Sequence, residues 1–378
     1  MSIDHCAISI YHLVAAEGRA KKICVPFISN HVIAADNISS NTPMPASSIQ
    51  HPASKVFCGP IFLVGMPRSG TKLLREMLNQ HSRIAIAANE SYCLPYFYRR
   101  FPRYGDIRDP ANFARFYADF SRTAFFRRLS ARAPFINREI WQTQVQAWDY
   151  SGVIAAFYRI YAQHYQKDIW GDKTPGYLRQ MPLLKSLYPD AKFIHIIRDS
   201  RDYCLSIRRA WQKNIFRAAQ RWHDDIRRAR QDAATHLGDD YLEVRYEQLL
   251  DMPETVLRSI TDYLHLPYQT AMLTPPASTE NLGDARAVEG ILKQNYGKWR
   301  TGLSPAEIAK IERICGVLLE ELGYPVSYHG QPQRLHPLLM RLYQASDGWR
   351  WLLFQLRQER MQGLVNLFCS GLYRQRAK

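Results

Sequence analysis

The sequence predicts an α/β fold in three layers, a central parallel sheet with helices on both faces. Three observations predict it. Short apolar runs recur, at Pro60-Ile61-Phe62-Leu63-Val64-Gly65, Lys192-Phe193-Ile194-His195-Ile196-Ile197-Arg198 and Tyr241-Leu242-Glu243-Val244-Arg245-Tyr246. Each leads through a turn into a helical pattern, and strands that alternate with helices build a parallel sheet. The chain has 378 residues, 46% of them apolar, which is enough to bury one large core.

Residues 1–54 contain one weakly apolar stretch, then Ser39-Ser40-Asn41-Thr42-Pro43-Met44-Pro45-Ala46-Ser47-Ser48, and read as a poorly ordered leader and linker. The run at 60–65 is a buried parallel strand. After the turn Met66-Pro67-Arg68-Ser69-Gly70, residues Leu73, Leu74, Met77 and Leu78 mark one face of a helix. Residues 91–170 are rich in Phe, Tyr, Trp and Arg and read as mainly helical. The second strand candidate opens a long helix after Asp199-Ser200-Arg201-Asp202, and the third is followed by a helix from about Pro253 to Leu264. These segments place one main domain at 55–330. Residues 331–378 form a C-terminal extension whose stretch Trp349-Arg350-Trp351-Leu352-Leu353-Phe354 reads as an amphipathic helix. Such a helix ordinarily packs on its own domain; a homodimer contact or peripheral membrane contact is the alternative.

Lys plus Arg exceed Asp plus Glu by 16, which points to an anionic partner. The basic residues are scattered, with neither zinc-finger spacing nor an RNA-recognition signature, so no nucleic acid is expected as partner. Seven dispersed cysteines without a C-x-x-C pair predict reduced thiols rather than a disulfide framework or a zinc site. Met1 to Ala15 lacks the features of a signal peptide, and no apolar run reaches bilayer-spanning length. A soluble, cytoplasmic protein is the expectation.

Gly65-Met66-Pro67-Arg68-Ser69-Gly70-Thr71-Lys72 sits between strand and helix, where backbone N–H groups and the helix dipole converge on an anion. Glycine lets the backbone approach closely, and Arg68 adds a charged fork. The two glycines have Walker spacing, but Thr71-Lys72 reverses the Lys-Ser/Thr order that places a hydroxyl on Mg²⁺. That order argues against a metal-dependent phosphoryl transferase. A nucleotide kinase and a non-catalytic binder of anionic ligands are the competing classes.

Pro67-Arg68-Ser69-Gly70-Thr71 after an apolar strand resembles the 5′-phosphosulfate loop of sulfotransferases that use PAPS (3′-phosphoadenosine-5′-phosphosulfate). The segment Ile197-Arg198-Asp199-Ser200-Arg201-Asp202-Tyr203-Cys204-Leu205-Ser206 resembles their 3′-phosphate motif. Glu243-Val244-Arg245-Tyr246-Glu247-Gln248-Leu249 and Asn295-Tyr296-Gly297-Lys298-Trp299-Arg300 resemble further blocks, so the likeness runs from about 60 to 325, to the bacterial and tyrosylprotein branch.

The resemblance implies a P-loop-like fold and in-line transfer of the PAPS sulfuryl group to an acceptor hydroxyl, leaving PAP, with no metal. Arg68, Ser69, Gly70, Thr71 and Lys72 would hold the 5′ end, and Arg198 with Ser206 the 3′-phosphate. Tyr246 and Lys298 match residues lining the nucleotide site. Arg68 and Lys173, in Asp172-Lys173-Thr174-Pro175, would stabilise charge at the transferred group, with Lys72 a second candidate. Glu90, in Asn89-Glu90-Ser91, matches a catalytic base; His81 and His195 are alternatives, the latter reading as a core histidine. The branch has a serine about fifteen residues before the lysine matched by Lys298. The gap-free position here is Gly283, with Ser278 and Thr279 nearby, and none is carried over. Read without the family, Lys173 is a solvated loop lysine, Glu90 a surface loop residue, and Arg198-Asp199 with Arg201-Asp202 a surface ion-pair cluster. The acceptor is open: peptide tyrosine, glycan or small metabolite.

Overall fold

The computed structural model describes residues 57–131, 136–277 and 289–358, with side chains described as far as Arg350. The leader and linker at 1–54, the end of the C-terminal extension, and Ser278, Thr279 and Gly283 lie outside the described residues.

In chain order the elements are β1 (Ile61–Gly65), α1 (Thr71–Leu78), β2 (Ile84–Ile86), α2 (Leu94–Arg100), α3 (Pro110–Ser121), α4 (Ala124–Ser130), α5 (Arg138–Thr143), α6 (Tyr150–His164), β3 (Ile169–Lys173), α7 (Met181–Leu187), β4 (Lys192–Ile197) and α8 (Ser200–Trp211). Then come α9 (Ile215–His236), β5 (Tyr241–Arg245), α10 (Tyr246–Asp251), α11 (Pro253–Tyr263), α12 (Trp299–Gly302), α13 (Pro305–Glu321) and α14 (Pro337–Gln358). The strands form one sheet in the order β2-β3-β1-β4-β5, and every pairing is parallel. The expected three strands are therefore joined by β2 and β3, and the expected helical region spans α2 to α6.

Alternation along each strand sends neighbours to opposite faces. Ile61 and Leu63 of β1, with Ile194 and Ile196 of β4, enter a core with Leu74 and Met77 of α1 and Leu257 of α11. Phe62, Val64, Phe193 and Ile197 enter the other, with Phe157 of α6 and Trp222 of α9. Both faces are covered, so the sheet is the middle layer.

Parallel strands end together, and the polar segments following β1, β3, β4 and β5 emerge at one carboxyl edge, where open α/β sheets bind ligands. Register aligns them: Leu63 lies beside Lys173 and Ile194, and Ile197 beside Arg245. Helix α14 packs on the domain through Asp347, which accepts from Asn214 N at 2.7 Å and Arg217 Nη1 at 2.9 Å.

Candidate active site

The turn after β1 closes with Ser69 N donating to the Met66 carbonyl at 3.2 Å. Gly70 has φ +92°, and a Cβ there would lie 2.3 Å from Cδ2 of Tyr246, so this step demands glycine on both counts. The ring of Tyr246 thus covers the loop directly. Helix α1 begins at Thr71 without a side-chain cap, leaving its positive end to the loop. The Ser69 hydroxyl is fully buried yet has no hydrogen-bond partner among the described residues, an arrangement that suits an anion at the same place.

Arg198 follows β4 and binds the two anion motifs into one site. Its Nη1 donates to the Arg68 carbonyl at 3.0 Å and its Nη2 to the Asn295 carbonyl at 3.0 Å. Its guanidinium carbon stands 4.7 Å from the centre of the Tyr246 ring, and its buried Nε has no partner among the described residues. Arg68 Nε donates to Ser206 Oγ on α8 at 3.4 Å. Asn295 Nδ2 donates to the Tyr246 hydroxyl at 3.0 Å, and Lys298 Nζ to Asn295 Oδ1 at 2.7 Å. All the candidate nucleotide residues from Arg68 to Lys298 therefore lie on one connected surface.

The ion-pair reading of 198–202 is corrected in part. Arg201 is 1% exposed and pairs with Asp199 at 2.7 Å and Glu312 at 2.7 Å, so the cluster is buried, and Arg198 donates instead to carbonyls. Asp202 accepts from Gly297 N and from Trp299 N, the latter at 3.0 Å, and so holds the loop that carries Lys298. Burial pushes the Asp202 carboxyl up, against the pull of Arg198.

Lys173 is the last residue of β3 and is 1% exposed, not the solvated loop lysine that its neighbours suggest. Its Nζ donates to Glu90 Oε1 at 2.6 Å, and Glu90 keeps 31% exposure. Glu90 sits in the loop after β2, which pairs with β3; Ala87 N donates to the Gly171 carbonyl at 3.1 Å. Burial pulls Lys173 below its ordinary value; Glu90 opposes this, and Arg75 and Lys72 add to it. Lys72 is thus near enough to act on the same group. Beneath the pair, buried Asp172 accepts from the Tyr158 hydroxyl at 2.6 Å, and burial pushes its carboxyl up.

Three participants escaped sequence reasoning. Arg75 on α1 is 3% exposed and donates to the Ala88 carbonyl, which ties α1 to the loop of Glu90. Asn295 bridges Arg198, Tyr246 and Lys298, and its adjacency to Lys298 in one block was an available signal. Asp202 also lay within a quoted motif. The alternative bases are accounted for elsewhere. His81 bonds the Pro267 carbonyl at 3.0 Å and accepts from Arg83 N, and burial lowers its pKa. His195 contacts the Tyr241 hydroxyl at 2.5 Å, and burial lowers it to about 3.

The family model described as "Sulfotransferase family" matches residues 60–270. The chain belongs to the sulfotransferase family, and the expectation of a sulfuryl-transferring enzyme holds. Among similar proteins, "Protein-tyrosine sulfotransferase A" of Caenorhabditis elegans is 27% identical, over 73% of this chain and 70% of its own length. An uncharacterized protein of Aquifex aeolicus is 24% identical over 66% of this chain, which spans only 31% of that protein. The solved sulfotransferase domain of the Synechococcus PCC 7002 olefin synthase is 24% identical, with a TM-score of 0.48 over 70% of this chain and 94% of that one.

Proposed function

We propose that this enzyme moves the sulfuryl group of PAPS to an acceptor hydroxyl by in-line displacement. The observation that carries the reading is the junction of two anion motifs at the Arg198–Arg68 contact of 3.0 Å. A nucleotide with phosphates at both ends of its ribose needs that adjacency. The residues fit the donor in kind: a buried unpaired hydroxyl at Ser69, an unpaired Nε at Arg198 and a glycine step at Gly70. Arg68 to Lys72 would take the 5′-phosphosulfate, and Arg198, Ser206 and Lys298 the 3′-phosphate.

Glu90 accepts the acceptor's proton as the new O–S bond forms. The S–O bond to the 5′-phosphate breaks, and Lys173 and Arg68 stabilise the negative charge that PAP carries away. The nematode relative's name supports a phenolic acceptor, with a glycan or small metabolite as the other hydroxyl sources. The buried thiols Cys204 and Cys315 support a reducing, cytoplasmic setting.

Calorimetric titration with PAP, ATP–Mg²⁺ and mixed-sequence DNA tests the donor assignment. PAP is expected to bind tightest. ATP–Mg²⁺ binding as tight as PAP would favour the kinase class, and steeply salt-dependent DNA binding the anion binder. Mass spectrometry after incubation with PAPS and an acceptor panel then reads the hydroxyl class.

A further inference from the structure

Helix α14 is apolar on two sides. A helix that covers a globular domain ordinarily turns one apolar stripe inward and polar residues outward. The inward side of α14 is anchored by buried Asp347, which holds Asn214 N and Arg217, and Met340 and Tyr343 are partly buried beside it. The outward side carries Leu338, Leu342 and Trp349, which are 61%, 66% and 65% exposed, with exposed Ala345 between the last two. Steps of four, three and four residues put these four on one line along the helix. In the sequence Leu352 and Leu356 continue the same spacing, within a helix that runs to Gln358. Large apolar side chains exposed in a row, rather than singly, mark a contact surface.

The charges beside the line select what it meets. Arg341 and Arg350 flank it on opposite sides, and both are exposed. Arg350 Nη1 stands 3.5 Å from the Gln212 carbonyl, a contact that leaves its charge uncancelled. Asp347 is the only acidic residue of α14, and it is buried against the domain in a pair with Arg217. Residues 335–378 hold seven Lys and Arg against two Asp and Glu. A second copy seated on the line would set arginine against arginine, with no carboxylate on α14 to pair with them. Nucleic acid offers phosphate to the arginines but nothing to the leucines. An anionic bilayer answers both. Acyl chains take the leucines, tryptophan suits the headgroup level, and the arginines meet lipid phosphate and carboxylate.

We propose that α14 lays the line of Leu338, Leu342 and Trp349 into an anionic membrane surface while Asp347 keeps its opposite side on the domain. The enzyme is then a peripheral membrane protein, whatever its acceptor. Four charged residues among the 22 of α14 suit a helix that lies on a bilayer rather than one that crosses it.

The test is co-sedimentation of the full chain with phosphatidylcholine vesicles, made with and without about one-quarter phosphatidylserine. Wild type is expected to bind the anionic vesicles at least about tenfold more strongly than the neutral ones, and more weakly as salt rises. Leu342→Gln and Trp349→Gln change exposed positions, so Tm should stay at the wild-type value while each lowers anionic-vesicle binding about tenfold. Arg341→Gln should lower binding to the anionic vesicles about fivefold and leave any binding to the neutral ones unchanged. The proposal is overturned by a wild type that binds no vesicles, or binds both kinds equally. It is overturned as well if the double variant of Leu342→Gln and Trp349→Gln binds as wild type does. A dimer seen by light scattering that the same double variant dissolves also overturns it, because the line is then a seam between copies.

Discussion

Exchanging Glu90 for Gln removes the counter-charge of an ammonium that is 1% exposed and has Arg75 and Lys72 nearby. Removing one partner of a fully buried ion pair costs about 3–5 kcal/mol. Glu90 is 31% exposed, so water already screens part of the attraction; about 2 kcal/mol is the expected loss for Glu90→Gln. Lys173→Met strands a carboxylate that water can reach and costs about 1 kcal/mol or less. The double variant strands no charge, so it should lose less than the sum by about 1 kcal/mol or more. Activity follows the same coupling. Each single variant should lower kcat by about 10²–10⁴, and the double no further than the worse single. Thermal unfolding reads the first set, initial rates of PAP release the second, and PAP titration shows that the nucleotide site survives. Stabilities that add within about 0.5 kcal/mol, or a Glu90→Gln enzyme at wild-type kcat, would refute the pair as the reacting unit.

Gly70→Ala drives a Cβ to 2.3 Å from the Tyr246 ring at φ +92°; it should cost about 1–2 kcal/mol in backbone strain alone and weaken PAP binding at least tenfold, measured by calorimetry. Asp202→Asn keeps the shape but gives up charged acceptance from Gly297 N and Trp299 N; the Kd for PAP should rise about tenfold, with kcat at saturating donor nearly unchanged. Because burial depresses the Lys173 ammonium, activity should fall on an alkaline limb below pH 10.5, and Lys173→Arg should abolish that limb because guanidinium stays charged. Stability has the opposite sign. The unfolded chain holds this proton more tightly, so between the folded pKa and 10.5 the group's contribution rises with pH, read as wild type minus Lys173→Met in unfolding titrations.

The anion loop was legible because everything that defines it lies within eight consecutive residues: strand end, glycine spacing, arginine and helix start. Strand β3 was not. Its sequence Ile-Trp-Gly-Asp-Lys ends in two charged residues and resembles a loop, yet it lies between β2 and β1 and is buried throughout. Long-range pairing decides that, and no local pattern reports it. Arg75 presents the same difficulty on a helix. Its role depends on the Ala88 carbonyl thirteen residues away, on a loop whose path is set by β2 pairing with β3. The contact of Lys173 with Glu90 joins residues 83 apart; the family resemblance put both at one site, but no local pattern reports the pairing.

That contact also bears on how Lys72 and Lys173 divide their work. Lys72 sits half-buried in the first turn of α1, beside the phosphate loop, where its charge serves attraction. Lys173 is desolvated, and its charge depends on the carboxylate 2.6 Å away. On the proposed reading, the acceptor's proton arrives at that same carboxylate. Neutralising Glu90 removes the strongest influence raising the Lys173 pKa, so the ammonium becomes a better donor as the leaving oxygen gains charge. Base and leaving-group stabiliser are then a single electrostatic device. Lys72, fixed on another element, cannot replace Lys173 in it by charge alone.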